Sequence, residues 1–189
     1  MNARLPDALQ VGNAWYSIDA DYRNVLTILE AFGDPDLTGL EKAYICLDRL
    51  YRDISSIPSE QIRDAYFAAT GFIAYGTHED EPKRPKLLDW KRDEPILFPA
   101  INQAAGFEVR GVPFLHWWTF LGLFQSISPD SLLGLVLQIR QKKARGKKLE
   151  KWEREFERNN PQLCSLGPRK SVKEDMEDLF QALLEEGQK

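Results

Sequence analysis

The stretch Phe114–Phe124, FLHWWTFLGLF, constrains the fold more than any other part of the chain. Its large apolar side chains, Phe114, Leu115, Trp117, Trp118, Phe120, Leu121, Leu123 and Phe124, cover nearly the whole circumference of a helix. A helix that is apolar all round must be buried on several sides. The segment, opening at Pro113, is therefore expected to be the central helix of a helical domain. It is too short to span a bilayer, and Pro113 and His116 interrupt the greasy run, so no membrane partner is expected.

A core helix of this kind needs others around it, and the flanking sequence supplies them. Leu9 and Val11 approach a Gly12-Asn13 turn and Trp15, Tyr16 and Ile18 leave it, the pattern of a β-hairpin. Helical spacing follows over 21–32, with Tyr22, Val25, Leu26, Leu29 and Phe32 on one face behind an Asp19 or Asp21 cap. A second helix is expected over 39–52, where Thr38 and Glu41 have capping-box spacing and Leu40, Tyr44, Leu47, Leu50 and Tyr51 form the apolar face. A third runs from Ser59 to Tyr75 with Ile62, Ala65, Tyr66, Ala69, Phe72 and Ile73 inward. The polar, proline-containing stretch 77–86 reads as an exposed loop.

Pro95 can open a fourth helix, Pro99 is awkward within it and Gly106 ends it. Ser128-Pro129-Asp130 caps a sixth, striped by Leu132, Leu135, Val136 and Ile139. Residues 140–158 hold nine Lys or Arg and four Glu, with Leu149, Trp152 and Phe156 as the large apolar residues, and read as a sparse seventh helix. Gln162–Lys170 reads as a linker. Beyond it Ser171 and Glu174 form another capping-box pair, and Val172, Met176, Leu179, Phe180 and Leu183 share one helical face. The expected fold is mainly α, seven to eight helices with a small N-terminal β-hairpin, and α+β only in the loose sense. The expected domains are a helical domain with its hairpin over 1–160 and a linker with a C-terminal amphipathic helix over 161–189.

At 189 residues the chain can bury roughly 70% of its unfolded surface without a metal or disulfide. Cys46 and Cys164 are too few for a disulfide framework or a structural zinc site, and reducing, intracellular conditions fit them. Met1–Gln10 lacks the apolar run of a secretory leader. The net charge of −4 disfavours a nucleic-acid binder as a whole, and Glu150, Glu153, Glu155 and Glu157 interleave the basic run. Nucleophile-elbow, phosphate-loop, H-E-x-x-H and C-x-x-C motifs are missing, and His78 and His116 share no metal-ligand spacing. No cofactor, metal or catalytic residue is expected, and the chain reads as a binding protein rather than an enzyme. Candidate partner-binding residues are Trp152 and Phe156 on the basic helix and Met176, Leu179, Phe180 and Leu183 on the C-terminal one.

The segment Asp93–Phe124, densest at Leu115-His116-Trp117-Trp118-Thr119-Phe120, resembles a family of siphovirus tail assembly chaperones from phages of Gram-positive hosts. The hairpin leading into Ile18-Asp19-Ala20-Asp21-Tyr22-Arg23 and the run Ile139-Arg140-Gln141-Lys142-Lys143 resemble it too, over roughly residues 5–160. His116, Trp117, Trp118 and Phe120 are thus the family-signature and core residues. The resemblance implies a protein encoded between the major tail protein and the tape measure protein. Such a protein coats the tape measure, keeps it soluble while the tail tube polymerises in the bacterial cytoplasm, and is absent from the finished virion. The implied partners are the tape measure protein, with the major tail protein and further copies of the chain beside it. The family contributes no catalytic residues. Two other readings stand beside it: a nucleic-acid-binding regulator using 140–158, and a minor structural component of the tail.

Overall fold

A computed structural model describes residues 4–74 and 87–166 of the chain. The fold is mainly α, as the periodicity predicts, with a two-stranded antiparallel hairpin at its start. Strands β1 (Ala8–Val11) and β2 (Ala14–Ser17) pair with Val11 opposite Ala14, so Gly12 and Asn13 form the turn. Gly12 takes a φ of 59°, which glycine adopts without a steric penalty. Two strands alone are marginal. Here Val11 is buried and β1 lies on the third helix.

Helix α1 (Tyr22–Gly33) is capped by Asp21, whose carboxylate accepts the Arg23 amide, and buries Tyr22, Val25 and Ile28. Helix α2 (Gly39–Leu50) opens with the reciprocal Thr38/Glu41 capping box that its sequence spacing predicts. Its expected apolar face is corrected. The buried residues Cys46, Leu47 and Leu50 all lie in its second half, whereas Leu40 and Tyr44 are 86% and 65% exposed. Helical spacing reports which side is apolar but not whether a neighbour covers it. Helix α3 (Ile62–Ile73) follows a 3-10 turn at Ser59–Gln61 and buries Ala65, Ala69, Phe72 and Ile73. The buried Tyr51 hydroxyl donates to the Ala65 carbonyl at 2.8 Å, tying the end of α2 to α3.

Helix α4 (Glu94–Ala105) carries Pro95 in its first turn, holds Pro99 within its length, and ends at Gly106 with a φ of 77°. Helix α5 (Trp117–Gln125) starts later than Pro113. The reason is tertiary: the Tyr22 amide donates to the Leu115 carbonyl at 2.9 Å and the Trp117 amide to the Ala20 carbonyl at 2.8 Å. The Leu115 amide donates to the Asp21 carboxylate at 3.1 Å. The chain before α5 is thus held extended across the start of α1. Nor is α5 buried all round: Trp117 and Phe120 are enclosed, Trp118, Leu121, Leu123 and Phe124 are half-buried, and Phe114 is exposed.

Helix α6 (Leu132–Ala144) is capped by Ser131 rather than by the residues just before it, and its buried stripe is Leu133, Val136, Ile139 and Arg140. Val136 and Ile139 of the expected stripe are buried, Leu135 is half-buried, and Leu132 is exposed, with Leu133 taking its place inside. The basic run is not one helix. α6 ends at Ala144, Gly146 turns the chain with a φ of 63°, and α7 (Lys151–Asn159) begins after it. The stretch read as a linker starts as a short helix, α8 (Pro161–Cys164), that packs on α6 and α7 and buries Cys164.

Candidate functional site

The signature residues turn inward and hold the fold together. Trp117 and Trp118 direct their indole N–H groups at consecutive carbonyls, Ile73 and Phe72, both at 2.9 Å. These carbonyls belong to the last turn of α3, where a helix's oxygens lack the usual intrahelical partner and the Ala74 amide also reaches the Phe72 oxygen. The Trp-Trp pair is therefore a side-chain cap on another helix. His116 is the N-cap of α5: its Nδ1 accepts the Trp118 amide at 3.0 Å. A ring nitrogen that accepts carries no proton, so Nε2 bears it and donates to the Pro6 carbonyl 3.0 Å away. Phe120 stacks on Tyr22 at 4.5 Å and on Trp117 at 5.7 Å.

The basic segment is largely engaged with the molecule itself. Arg140 is 4% exposed and forms a two-pronged pair with the buried Asp93 at 2.6 and 2.8 Å, while also donating to the carbonyls of Leu87 and Leu163. Lys142 pairs with the fully buried Glu153 at 2.6 Å, and Lys143 pairs with Glu157. Burial alone would raise the Glu153 pKa. The Lys142 ammonium and the Glu150 amide outweigh it and hold the carboxyl below its ordinary value. The hydrogen bond to Glu153 in turn raises the Lys142 pKa. The two lysine pairs staple α7 to α6, the Arg140 pair ties α6 to the start of α4, and all three cations already face carboxylates of the chain itself. Trp152 is 45% exposed, with its indole N–H on Glu150, whereas Phe156 packs against the core. Met176, Leu179, Phe180 and Leu183, together with His78 and the 77–86 loop, lie outside the described residues.

The surface that sequence reasoning misplaced is the open half of α2. Leu37, Leu40, Tyr44 and Ile45 line a depression of about 400 Å³ there, beside a Glu41 already engaged in the capping box. Leu40 and Tyr44 recur at four-residue spacing, the signal first read as core, and Leu37 lies just ahead of the helix. The one cue in the sequence was that α2 offers more apolar positions than one narrow contact can cover.

Neither cysteine forms a disulfide, and burial pushes the Cys46 thiol up to about 12, far from a reactive thiolate. Among the described residues, no three His, Cys, Asp or Glu side chains gather closely enough to hold a metal ion. No described helix is long and apolar enough to cross a membrane.

No solved structure matches this fold. A family model described as Bacteriophage Gp15 protein matches residues 1–166, from ahead of the hairpin through α8. That span includes the Trp-Trp cap, the buried Arg140–Asp93 pair and the open face of α2, and it stops short of the C-terminal amphipathic sequence. A match over so much of the chain shows that this is a bacteriophage protein belonging to the Bacteriophage Gp15 family.

Proposed function

We propose that the protein is a tail assembly chaperone that binds the phage tape measure protein and acts through surface contact rather than catalysis. The observation that carries this reading is the uncovered apolar stripe of α2, with Leu40 at 86% and Tyr44 at 65% exposure. A folded chain keeps such a stripe in water at a disadvantage, and contiguous exposed apolar surface marks a docking face. A tape measure protein is a long helical chain with extensive apolar faces that aggregates when left bare. Many copies of a small helical protein, each presenting a short stripe, would cover it with individually modest contacts whose sum is large and still reversible. The resemblance over Leu115–Phe120 supports the same role, and the work would take place in the cytoplasm of the bacterial host.

The test is co-expression with the tape measure protein of the same phage. The wild-type chain should move the tape measure into the soluble fraction and should be missing from purified virions. The double variant Leu40→Ser/Tyr44→Ser should fold with unchanged thermal stability, since both side chains already face solvent, yet lose most of the solubilising effect. A tape measure equally insoluble with and without the wild-type chain sinks the chaperone reading. Finding the chain in finished virions would make it a structural component of the tail instead.

A further inference from the structure

The nine Lys and Arg residues of 140–158 divide into two sets in the folded chain. Arg140, Lys142 and Lys143 pair with Asp93, Glu153 and Glu157. Arg145, Lys147, Lys148, Lys151, Arg154 and Arg158 are exposed and form no ion pair among the described residues. The first set takes up Glu153 and Glu157, so the carboxylates left beside the exposed set are Glu155 and Glu150, the latter 3.7 Å from Lys142. Lys151, Arg154 and Arg158 stand three and four positions apart, so they share one side of α7, turned away from Glu153 and Phe156. Like charges at this spacing repel. Lys147 and Lys148 add two cations just ahead of the first turn, where the helix dipole is already positive. The outer side of α7 is thus a cationic stripe that the described residues leave uncompensated.

The same chain carries the complement. Residues 174–186 hold six carboxylates and no Lys or Arg. Glu174, Glu177, Asp178 and Glu185 recur at helical spacing, on the side opposite Met176, Leu179, Phe180 and Leu183. Arg169, Lys170 and Lys173 come before this stretch and Lys189 after it, so its own sequence does not neutralise the acidic side. We infer that this C-terminal stretch folds back along the outer side of α7 as an acidic helical strip, setting its carboxylates against Lys148, Lys151, Arg154 and Arg158.

Connectivity makes this contact local. α8 follows α7 directly, packs on both α6 and α7, and buries Cys164. Glu174 is eight residues beyond Leu166, a span of up to about 28 Å when extended, whereas the nine residues of α7 measure about 14 Å. The whole length of α7 is within that reach. A tether this short holds the two charges together at an effective concentration on the order of millimolar, which sums several weak, screened surface pairs into one populated contact. A free polyanion has no such advantage, and the chain's net charge of −4 opposes its approach. Docked acidic side down, the strip turns Met176, Leu179, Phe180 and Leu183 away from α7, so it covers cations and offers an apolar edge at once. The inference stands without the chaperone reading.

The experiment is zero-length carbodiimide coupling of lysines to carboxylates on the full-length chain, using an equal mixture of isotopically light and heavy copies read by mass spectrometry. Amide links should join Lys148 or Lys151 to the stretch 174–178 within single copies, and their yield should fall about fivefold from low to high salt. The variant R154E/R158E leaves both lysines available for coupling and changes exposed positions alone, so its circular dichroism and melting temperature should match the wild type. Its coupling should fall by a similar factor of about five, and adding E174K/D178K should restore coupling between the two segments through the exchanged charges. Links that are missing, or whose yield is the same at high salt and in R154E/R158E, overturn the proposal. A statistical share of mixed light–heavy links would give the stripe to the C-terminal stretch of a second copy and overturn it. A short fluorescent DNA duplex bound by the wild type and lost in R154E/R158E, without links inside single copies, would give the stripe to nucleic acid and overturn it too.

Discussion

Replacing Trp117 by Phe tests whether the Trp-Trp pair caps α3 or simply fills space. Trp117 is 1% exposed, and its indole N–H meets the Ile73 carbonyl in a buried setting. Phenylalanine keeps most of the ring stacked on Phe120 but removes the donor. Leaving a buried carbonyl unmet costs about 1–3 kcal/mol. The lost pyrrole portion, roughly 40 Å³, adds about 1 kcal/mol at roughly 24 cal/mol per Å³ of unfilled cavity. The expected loss is therefore about 2–4 kcal/mol, against about 3–5 kcal/mol for Trp117→Ala. Trp118 makes the same bond to Phe72 in a partly buried setting, so Trp118→Phe should lose only about 0.5–1.5 kcal/mol. Urea unfolding, fitted with a common slope, measures all three. Equal losses for the two Phe variants, or less than about 0.5 kcal/mol for Trp117→Phe, would refute the cap and leave packing alone.

Other changes probe other parts of the fold. Arg140→Ala strands the buried Asp93 carboxylate and should destabilise by about 3–5 kcal/mol, whereas Lys148→Ala on the exposed turn should stay within about 0.5 kcal/mol in the same urea titration. The Glu153 carboxyl is held below its ordinary value, so its stabilising contribution is complete above the usual carboxylate range and is lost as the pH falls through the lowered value. Urea midpoints between pH 6 and pH 3, a range of roughly 3 units around that titration, should therefore fall less steeply in Glu153→Gln than in the wild type. A Cβ at Gly134 would sit 2.6 Å from the carbonyl oxygens of Ser128 and Pro129, so Gly134→Ala should lower stability by about 1–3 kcal/mol despite alanine's better helix propensity, and thermal melting would show it.

Local chemistry was legible and tertiary placement was not. Thr38 with Glu41, Gly12-Asn13 and Gly106 each announce a cap or turn through residues no more than a few positions apart, and the structure builds each one. The start of α5 was misread because its register depends on Asp21, 94 residues before Leu115. Arg140 was read as surface because its partner Asp93 lies 47 residues away. Lys142 and Glu153 were obscured by reading one helix across a glycine turn. The exposed apolar face of α2 was hidden by a deeper ambiguity. An apolar side of a helix looks the same in sequence whether a neighbour covers it, as at Leu47 and Leu50, or water does, as at Leu40 and Tyr44.

The crossing of residues 20–22 with residues 115–117 also has a consequence in time. The N-cap residue Asp21 and the Tyr22 ring of the first helix take partners from a segment made 94 or more residues later. At bacterial elongation rates of about 5–20 residues per second, that is a wait of roughly 5–20 s. Throughout it Tyr22 has been synthesised but lacks the Phe120 ring that stacks on it. A product truncated before Trp117 is left permanently in that state, so reporters and tags belong at the ends of the chain rather than in place of its second half. A ribosome pausing between these two segments would prolong the period in which the Tyr22 ring waits for its partner.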